Sequence, residues 1–221
     1  MREFFLHKSI TNLDLIKEDL KSKVQDFDSL KIIAVSKTFS IDQILPLIKY
    51  GHLHYGENKV QEAINKWSDV KLEYSDIKLH LIGKLQSNKT KLAVKLFDYI
   101  HSVDSEKIAK KIANEELKQN KKVKIFIQVN IGDENQKSGI TKKNLDEFHS
   151  YCKELELDII GLMCIPPANI DPKIFFQEMK LLTKKLDLPE LSMGMSSDYI
   201  EAAKNSATYL RIGSKIFGNR D

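Results

Sequence analysis

A lysine at the end of an apolar stretch is the residue of this chain most suited to covalent chemistry. Residues 31–37 read KIIAVSK, so that Lys37 follows four apolar residues and Ser36. A lysine amine in a partly dry pocket loses solvation, which lowers its pKa and makes it nucleophilic toward carbonyl groups. Most lysines in such places are simply solvated, so the rest of the chain must decide between the two interpretations.

Two turns that contain serine and glycine offer the means to hold an anion. The segments SMGMSSD (192–198) and RIGSKIFG (211–218) can present backbone N–H groups and hydroxyl groups to a ligand. Gly213 allows the backbone to approach closely, and Ser214 adds a hydroxyl group. Together with an amine at Lys37, these turns suit a small phosphorylated aldehyde.

Simpler interpretations compete with each of these features. Serine and glycine before a helix are usually caps. Arg211 could form a structural ion pair, and the methionines of MGM could serve packing alone. His80, on an apolar strand, is typical of a hydrogen-bonded core histidine, and no set of His, Cys and Asp residues has the spacing of a metal site.

The composition is that of an ordinary globular protein. Of the 221 residues, 42% are hydrophobic and 30% are charged. No stretch approaches the ~18 apolar residues of a membrane span or resembles a signal peptide. The net charge of +4 raises nucleic acid as a partner, but the lysines are interleaved with acidic residues, as in SEKIAKKIANEELKQNKK, which is typical of solvated helices. Cys152 and Cys164 form neither a disulfide framework nor a metal spacing. We therefore expect a cytoplasmic protein that binds neither membranes nor nucleic acids.

Short apolar runs alternate with longer amphipathic runs along the chain. Several short runs are apolar on consecutive residues, as expected of strands covered on both faces. The predicted strands cover 31–37, 53–57, 78–83, 98–104, 124–130, 158–164, 191–195 and 209–213. The predicted helices cover 3–25, 41–50, 58–68, 87–96, 105–119, 141–154, 172–186 and 198–206. In the helix over 105–119, Ile108, Ile112 and Leu117 form the expected apolar stripe.

Repeated βα units in a chain of this length predict one α/β domain over residues 1–221. The predicted fold is a (β/α)8 TIM barrel with an extra N-terminal helix, and an open doubly wound sheet is the alternative. Active sites of such barrels lie at the C-terminal rim of the strands. The residues expected at this rim are Lys37, Glu57, Asn58, Gly83, Ser102, Asp104, Asn130, Met163, Ser196, Ser197, Arg211 and Gly213. Their coincidence on one rim favours a functional role for Lys37.

Eight segments of the chain resemble the signature segments of a known family. In order from about residue 31, they are AVSKT, YGENKVQE, HLIGKLQSNKTK, HSVDS, QVNIGDENQKSGI, GLMCIP, LSMGMSSDYIEA and LRIGSKIFGNR. In these segments the chain resembles the pyridoxal phosphate homeostasis protein family. The resemblance implies a barrel similar to the N-terminal domain of alanine racemase, which is fold type III of the pyridoxal phosphate proteins, with pyridoxal 5′-phosphate (PLP) at its mouth.

The resemblance also implies roles for individual residues. Lys37 matches the lysine that forms the internal aldimine, Arg211 matches the arginine that faces the pyridine nitrogen, and Asn58 matches an asparagine beside the ring. The phosphate-holding positions are matched by Ser196, Gly213 and Ser214. Neighbours of the pocket are matched by His80, Met163 and Ser197.

An arginine at the ring nitrogen has a mechanistic consequence. Because it is always charged, it disfavours a proton on that nitrogen and weakens the cofactor as an electron sink. Racemases with this arrangement add a tyrosine from another domain and subunit as a second acid/base. This sequence ends at Asp221, soon after the last predicted strand, so we expect no such domain. Tyr55 and Tyr199 could replace it, but the sequence places neither opposite Lys37.

These points predict a PLP-binding protein without an established catalytic reaction. Lys37 would hold PLP reversibly as a Schiff base, and the protein would act in intracellular PLP (vitamin B6) homeostasis. PLP-dependent apoenzymes are the expected recipients, and a monomer is the expected state. The alternatives are a slow PLP-dependent amino-acid racemase and a Schiff-base aldolase with no bound cofactor.

Overall fold

Eight parallel strands form a closed barrel in the computed structural model, which describes residues 6–134 and 136–218. The strands are β1 (Lys31–Val35), β2 (His54–Glu57), β3 (Lys78–Leu81), β4 (Tyr99–Val103), β5 (Lys124–Val129), β6 (Ile159–Cys164), β7 (Glu190–Ser192) and β8 (Tyr209–Ile212). Neighbours in the chain are neighbours in the sheet, and β8 pairs with β1 to close the ring. The predicted (β/α)8 barrel is confirmed, and the doubly wound alternative is wrong.

Helices follow the strands and cover the outside of the barrel. In the described residues they are α1 (Lys8–Lys23), α2 (Ile41–Lys49), α3 (Val60–Glu73), α4 (Thr90–Leu96), α5 (Glu106–Gln119), α6 (Leu145–Glu154), α7 (Pro172–Lys185), α8 (Tyr199–Lys204) and α9 (Ser214–Phe217). The predicted helices over 87–96 and 141–154 each begin with a short 3-10 turn, and α9 lies in a segment predicted as a loop. None of the helices in this part of the chain is long and apolar enough to cross a membrane.

Alternation along the strands divides the core into two layers. Ile32 and Ala34 belong to the cluster between the barrel and its helices, whereas Ile33 belongs to a separate cluster inside the barrel. Successive side chains of a strand point to opposite faces. The same alternation, continued beyond the end of β1, brings Val35 and Lys37 to the mouth of the barrel, where both line a cavity.

Helix α5 buries a different stripe from the one expected. Ile108 and Ile112 are buried as predicted, but Leu117 is 75% exposed, so its prediction as part of the apolar stripe is wrong. Glu116 is buried instead, and its Oε1 accepts a hydrogen bond of 2.7 Å from the backbone N–H of Val123. The reason is geometric, because position 116 lies close to one helical turn beyond position 112, while position 117 has rotated away.

Helix α1 is the extra helix predicted before the first strand. The predicted range 3–25 shortens to Lys8–Lys23, and residues 3–5 lie outside the described residues. The Asn12 amide donates a hydrogen bond of 2.9 Å to the carbonyl of Ile216 in α9, and the Tyr199 hydroxyl in α8 donates one of 2.6 Å to Asp19. Helix α1 therefore stabilises the two short helices that follow β7 and β8.

Candidate functional site

A cavity of about 650 Å³ opens at the C-terminal mouth of the barrel. It is lined by Val35, Lys37, Asn58, Ile82, Ile165, Met195, Ser196, Ser197, Arg211, Gly213, Ser214 and Gly218. Most of the residues predicted to bind a cofactor are in this set, namely Lys37, Asn58, Ser196, Ser197, Arg211, Gly213 and Ser214. The cavity is large enough for a drug-sized ligand.

Strand order brings these residues together. Strand β1 lies between β8, where Ile33 pairs with Arg211, and β2, where Val35 pairs with Gly56. Strand β7 is the next neighbour of β8. The amine of Lys37, the amide of Asn58 and the two serine-containing loops therefore come from four adjacent strands, and they share one side of the mouth.

His80 and Met163, the other two predicted site residues, are not among the residues that line the cavity. Both are fully buried. Met163 packs in the interior cluster with Phe126 and Tyr209, and His80 is hydrogen-bonded through both ring nitrogens. The structure therefore places these two residues deeper in the barrel than the other predicted site residues, and His80 has the contacts of a core histidine.

The predicted rim residues at the ends of β4 and β5 also serve local structure. Ser102 Oγ donates a hydrogen bond of 2.7 Å to the carbonyl of Gly83. The Asn130 amide bonds the backbone of Glu134 in both directions, at 3.0 and 3.2 Å, and so shapes the loop after β5. Asp104 is half-buried, and burial raises the pKa of its carboxyl group. None of these side chains lines the mouth cavity.

Arg211 forms one wall of the cavity and is only 5% exposed. Its Nη1 donates a hydrogen bond of 2.7 Å to Ser192 Oγ, and its Nη2 donates one of 2.8 Å to the carbonyl of Cys164. Within the described residues, no carboxylate forms an ion pair with it. Burial lowers its pKa, but a guanidinium group stays charged at neutral pH. This wall therefore presents a buried cation with N–H groups to spare, which suits an uncharged ring nitrogen with a lone pair.

A chain of three histidines runs from Arg211, by way of Ser192 and the barrel interior, to His54 at the start of β2. His101 Nδ1 lies 2.9 Å from Ser192 Oγ, His101 Nε2 lies 2.9 Å from His80 Nδ1, and His80 Nε2 lies 2.9 Å from His54 Nδ1. Burial lowers the pKa of His80 and His101 well below the ordinary value, with the Arg211 charge adding to the effect on His101. The pKa of His54 falls to about 4 for the same reason, burial, with Lys31 second.

One set of tautomers gives the Ser192 hydroxyl proton a partner in this chain. Arg211 can only donate, so Ser192 Oγ accepts from it, and His101 Nδ1 is the acceptor to which the Ser192 hydroxyl proton points among the described residues. In that arrangement His101 carries its proton on Nε2 and donates to His80, and His80 carries its proton on Nε2 and donates to His54. His101 and His80 then donate away from Arg211, and His54 Nδ1 accepts at the end of the chain.

The loops after β7 and β8 meet at the edge of the cavity. The backbone N–H of Lys215 donates a hydrogen bond of 3.4 Å to Ser196 Oγ, which connects the two loops. Gly194 has φ +86°, and a Cβ there would lie 2.5 Å from the Cβ of Ala202, so only glycine fits. Ser196, Ser197 and Ser214 line the cavity here, and hydroxyl groups are suited to the oxygens of a phosphate group.

Sequence reasoning missed the residues that support Arg211. Ser192, His101 and His54 were not predicted as site residues, although Ser192 lies in the segment SMGMSSD. A usable signal is the strand alternation, which turns His54, His80 and His101 into the barrel interior on three successive strands. No group of three or more His, Cys, Asp and Glu side chains within the described ranges is arranged to hold a metal ion.

The closed barrel of eight parallel strands, with a lysine and an arginine at its mouth, defines the class of barrels that resemble the N-terminal domain of alanine racemase. Comparison with known families identifies the same class. The family model described as "Alanine racemase, N-terminal domain" matches residues 11–221. An alanine racemase from Clostridium difficile has the same fold, with a TM-score of 0.74 at 15% identity over 96% of this chain and 57% of that chain.

Nearer relatives have one name in common. A protein of Vibrio alginolyticus called "Pyridoxal phosphate homeostasis protein" is 38% identical over 205 residues, which is 88% of each chain. A protein of the same name from Aquifex aeolicus is 36% identical over 86% of this chain and 87% of the relative. The structure of PipY from Synechococcus elongatus with PLP bound has a TM-score of 0.84 at 32% identity over 95% of this chain and 100% of that chain. The chain belongs to the family of pyridoxal phosphate homeostasis proteins.

Proposed function

We propose that this protein binds PLP in the mouth cavity and takes part in PLP homeostasis. The observation that carries the proposal is the combination, in one cavity, of the Lys37 amine, the buried guanidinium group of Arg211 and the serine-containing loops. The names of the relatives and the PLP bound to PipY support it. We further propose that the chain acts as a single PLP-binding domain.

The proposed sites on PLP follow from the chemistry of each residue. Lys37 bonds through its amine nitrogen to the aldehyde carbon and the aldehyde oxygen leaves as water, so the resulting Schiff base is reversible by hydrolysis. Arg211 donates to the ring nitrogen, and Asn58 lies beside the ring. The phosphate is held by Ser196, Ser197, Gly213 and Ser214. His80 and Met163, which are buried and do not line the cavity, are proposed as neighbours of the pocket.

Storage and delivery fit this site better than catalysis. PLP, when bound, supplies an electrophilic aldehyde and an electron-withdrawing ring. Arg211 keeps the ring nitrogen unprotonated and so limits that withdrawal. A racemase also needs an acid/base on the second face, and the two tyrosines considered for it are engaged elsewhere. Tyr55 is buried against Trp67, and the Tyr199 hydroxyl bonds Asp19.

We propose that the protein works in the cytoplasm as a monomer that supplies PLP-dependent apoenzymes. Two free, buried cysteines, Cys152 and Cys164, support a reducing compartment. Sedimentation equilibrium with and without PLP tests the monomer. Transfer is tested by mixing the loaded protein with an apoenzyme and comparing the rate of reactivation with that produced by free PLP.

The binding proposal is tested by equilibrium dialysis against three ligands. PLP carries both the aldehyde and the phosphate, pyridoxal lacks the phosphate, and 4-deoxypyridoxine 5′-phosphate lacks the aldehyde. We expect PLP to bind most tightly, and we expect Lys37→Ala to bind PLP no more tightly than the analogue without an aldehyde. Lys49→Ala, which removes an exposed lysine at the end of α2, is the control. Equal affinity of the unaltered protein for all three ligands contradicts the proposal. A colourless protein after incubation with PLP contradicts the Schiff base, and racemisation of any amino acid in a panel assay favours the enzyme alternative.

A further inference from the structure

Helix α3 holds the turn that carries Lys37. Thr38 N–H donates a hydrogen bond of 2.7 Å to Glu62 Oε1, and Lys66 Nζ donates one of 2.9 Å to the carbonyl of Ser36. Glu62 and Lys66 are four residues apart in α3, so they project from one face of the helix. The backbone on both sides of Lys37 is therefore bound by this helix.

A buried carboxylate completes the arrangement. Glu57, at the end of β2, is fully buried, and its Oε1 accepts from Ser36 Oγ at 2.8 Å, from Lys66 Nζ at 3.0 Å and from Trp67 Nε1 at 2.9 Å. Lys66 Nζ also lies 3.4 Å from Glu62 Oε1. Burial opposes the ionisation of Glu62, but the hydrogen bond from Thr38 and the charge of Lys66 outweigh it and lower the Glu62 pKa. We call Glu57 of β2 together with Glu62 and Lys66 of α3 the clamp.

The turn needs such a clamp because its backbone is strained. Thr38 has φ 70°, in the left-handed region that a β-branched residue rarely adopts. The Thr38 side chain is exposed, whereas its backbone N–H is fixed by Glu62. Any relaxation of Thr38 toward ordinary φ values would rotate the peptide bond to Lys37 and redirect its side chain.

We propose that Glu62 and Lys66 are positioning residues for Lys37, which hold the strained turn and thereby aim the Lys37 amine into the mouth cavity. This inference rests on the proposed capture of PLP by Lys37. It assigns a role to the acidic and basic residues of the segment YGENKVQE and of the helix after it, which touch no ligand in the proposed site.

The test combines Glu62→Ala with Thr38→Gly. Glycine adopts positive φ values without strain, so Thr38→Gly removes the need for the clamp. We expect Glu62→Ala alone to weaken PLP binding and to slow borohydride-trapped Schiff-base formation at Lys37 by about tenfold, on the scale of the strain of one left-handed residue. In the double variant, both quantities should return to within about twofold of Thr38→Gly alone, because the two changes act on one interaction.

Glu73→Ala is the matched control, since it removes an exposed carboxylate from the C-terminal end of the same helix. It should leave binding and trapping unchanged. Glu62→Ala is preferred to Lys66→Met because it leaves the buried Glu57 with its cation. Melting temperatures of all variants, measured without PLP, separate destabilisation of the fold from misorientation of the Lys37 side chain.

The outcomes distinguish this inference from the proposed function. If the unaltered protein forms no Schiff base at Lys37, the proposed function fails and the inference fails with it. If the unaltered protein forms the Schiff base and Glu62→Ala binds PLP and reacts equally well, the function stands and the positioning role is overturned. The role is also overturned if Glu62→Ala is impaired and Thr38→Gly fails to rescue it.

Discussion

Acidification should destabilise this protein through the histidines inside the barrel. His80 and His101 are fully buried and neutral, and burial lowers the pKa of each well below the ordinary value. In the unfolded chain both residues titrate normally, near a pKa of about 6.5. As the pH falls below that value, the unfolded state binds protons that the folded state does not, and folding stability is lost. The stability is fully present above the unfolded pKa and declines as the pH falls toward the lowered folded pKa.

The size of the effect follows from the unfolded pKa of about 6.5 when each ring stays neutral in the folded state. A histidine that stays neutral when folded lowers the free energy of unfolding by roughly 2 kcal/mol between about pH 7.5 and about pH 5. About 1.5 pH units of this range lie below the unfolded pKa, and each unit is worth about 1.36 kcal/mol. Two such residues give about 4 kcal/mol, a large share of the ~5–15 kcal/mol typical of a folded protein. His54, with its pKa lowered to about 4, acts in the same direction.

Urea unfolding at the two pH values measures this loss, and a variant isolates its source. Burial raises the pKa values of Asp104 and Glu116, so these carboxyl groups make folding more stable as the pH falls. The pH dependence of a histidine variant is therefore compared with that of the unaltered protein. His101→Gln should reduce the pH dependence of the free energy of unfolding by about 2 kcal/mol.

A pH dependence in His101→Gln that equals that of the unaltered protein would refute this reasoning, since the buried neutral imidazole would then contribute nothing.

Three further predictions concern other parts of the molecule. Gly194→Ala should lower the free energy of unfolding by about 2–4 kcal/mol in a urea titration, because the left-handed backbone disfavours alanine and the new Cβ would meet Ala202. Cys152 and Cys164 should resist alkylation by iodoacetamide in the native protein and react on unfolding, as judged by mass spectrometry, because burial raises the pKa of each thiol to about 12. Arg211→Lys should weaken PLP binding about tenfold in equilibrium dialysis, because an ammonium group cannot bond both Ser192 and the Cys164 carbonyl in the fork geometry of a guanidinium while still facing the ring.

The fold was predictable because its signals are local. Runs such as IIAV at 32–35 are apolar on consecutive residues, and they mark strands covered on both faces wherever they occur. Once eight such runs are spaced by helices, the barrel and the mouth follow, and with them the positions of Lys37 and Arg211. The ends of the elements were less accurate, since the predicted first strand reached Lys37 whereas β1 ends at Val35.

The support of the site was not predictable because it depends on contacts between distant residues. The chain from Arg211 to His54 needs the register of several strands, and Lys66 reaches back thirty positions to Ser36. No short segment of the sequence records such a contact. Leu117 illustrates the limit at short range, where a one-residue error in a helical stripe exchanged an exposed leucine for a buried glutamate.

The central claim, that Lys37 captures PLP, is tested most directly by borohydride reduction of the protein with PLP followed by peptide mapping. We predict a pyridoxyl group on the peptide that contains Lys37, retained in Lys49→Ala and lost from that peptide in Lys37→Ala. The absence of an adduct, or adducts spread evenly over exposed lysines, would contradict the claim and leave Lys37 as a solvated residue at the end of a strand.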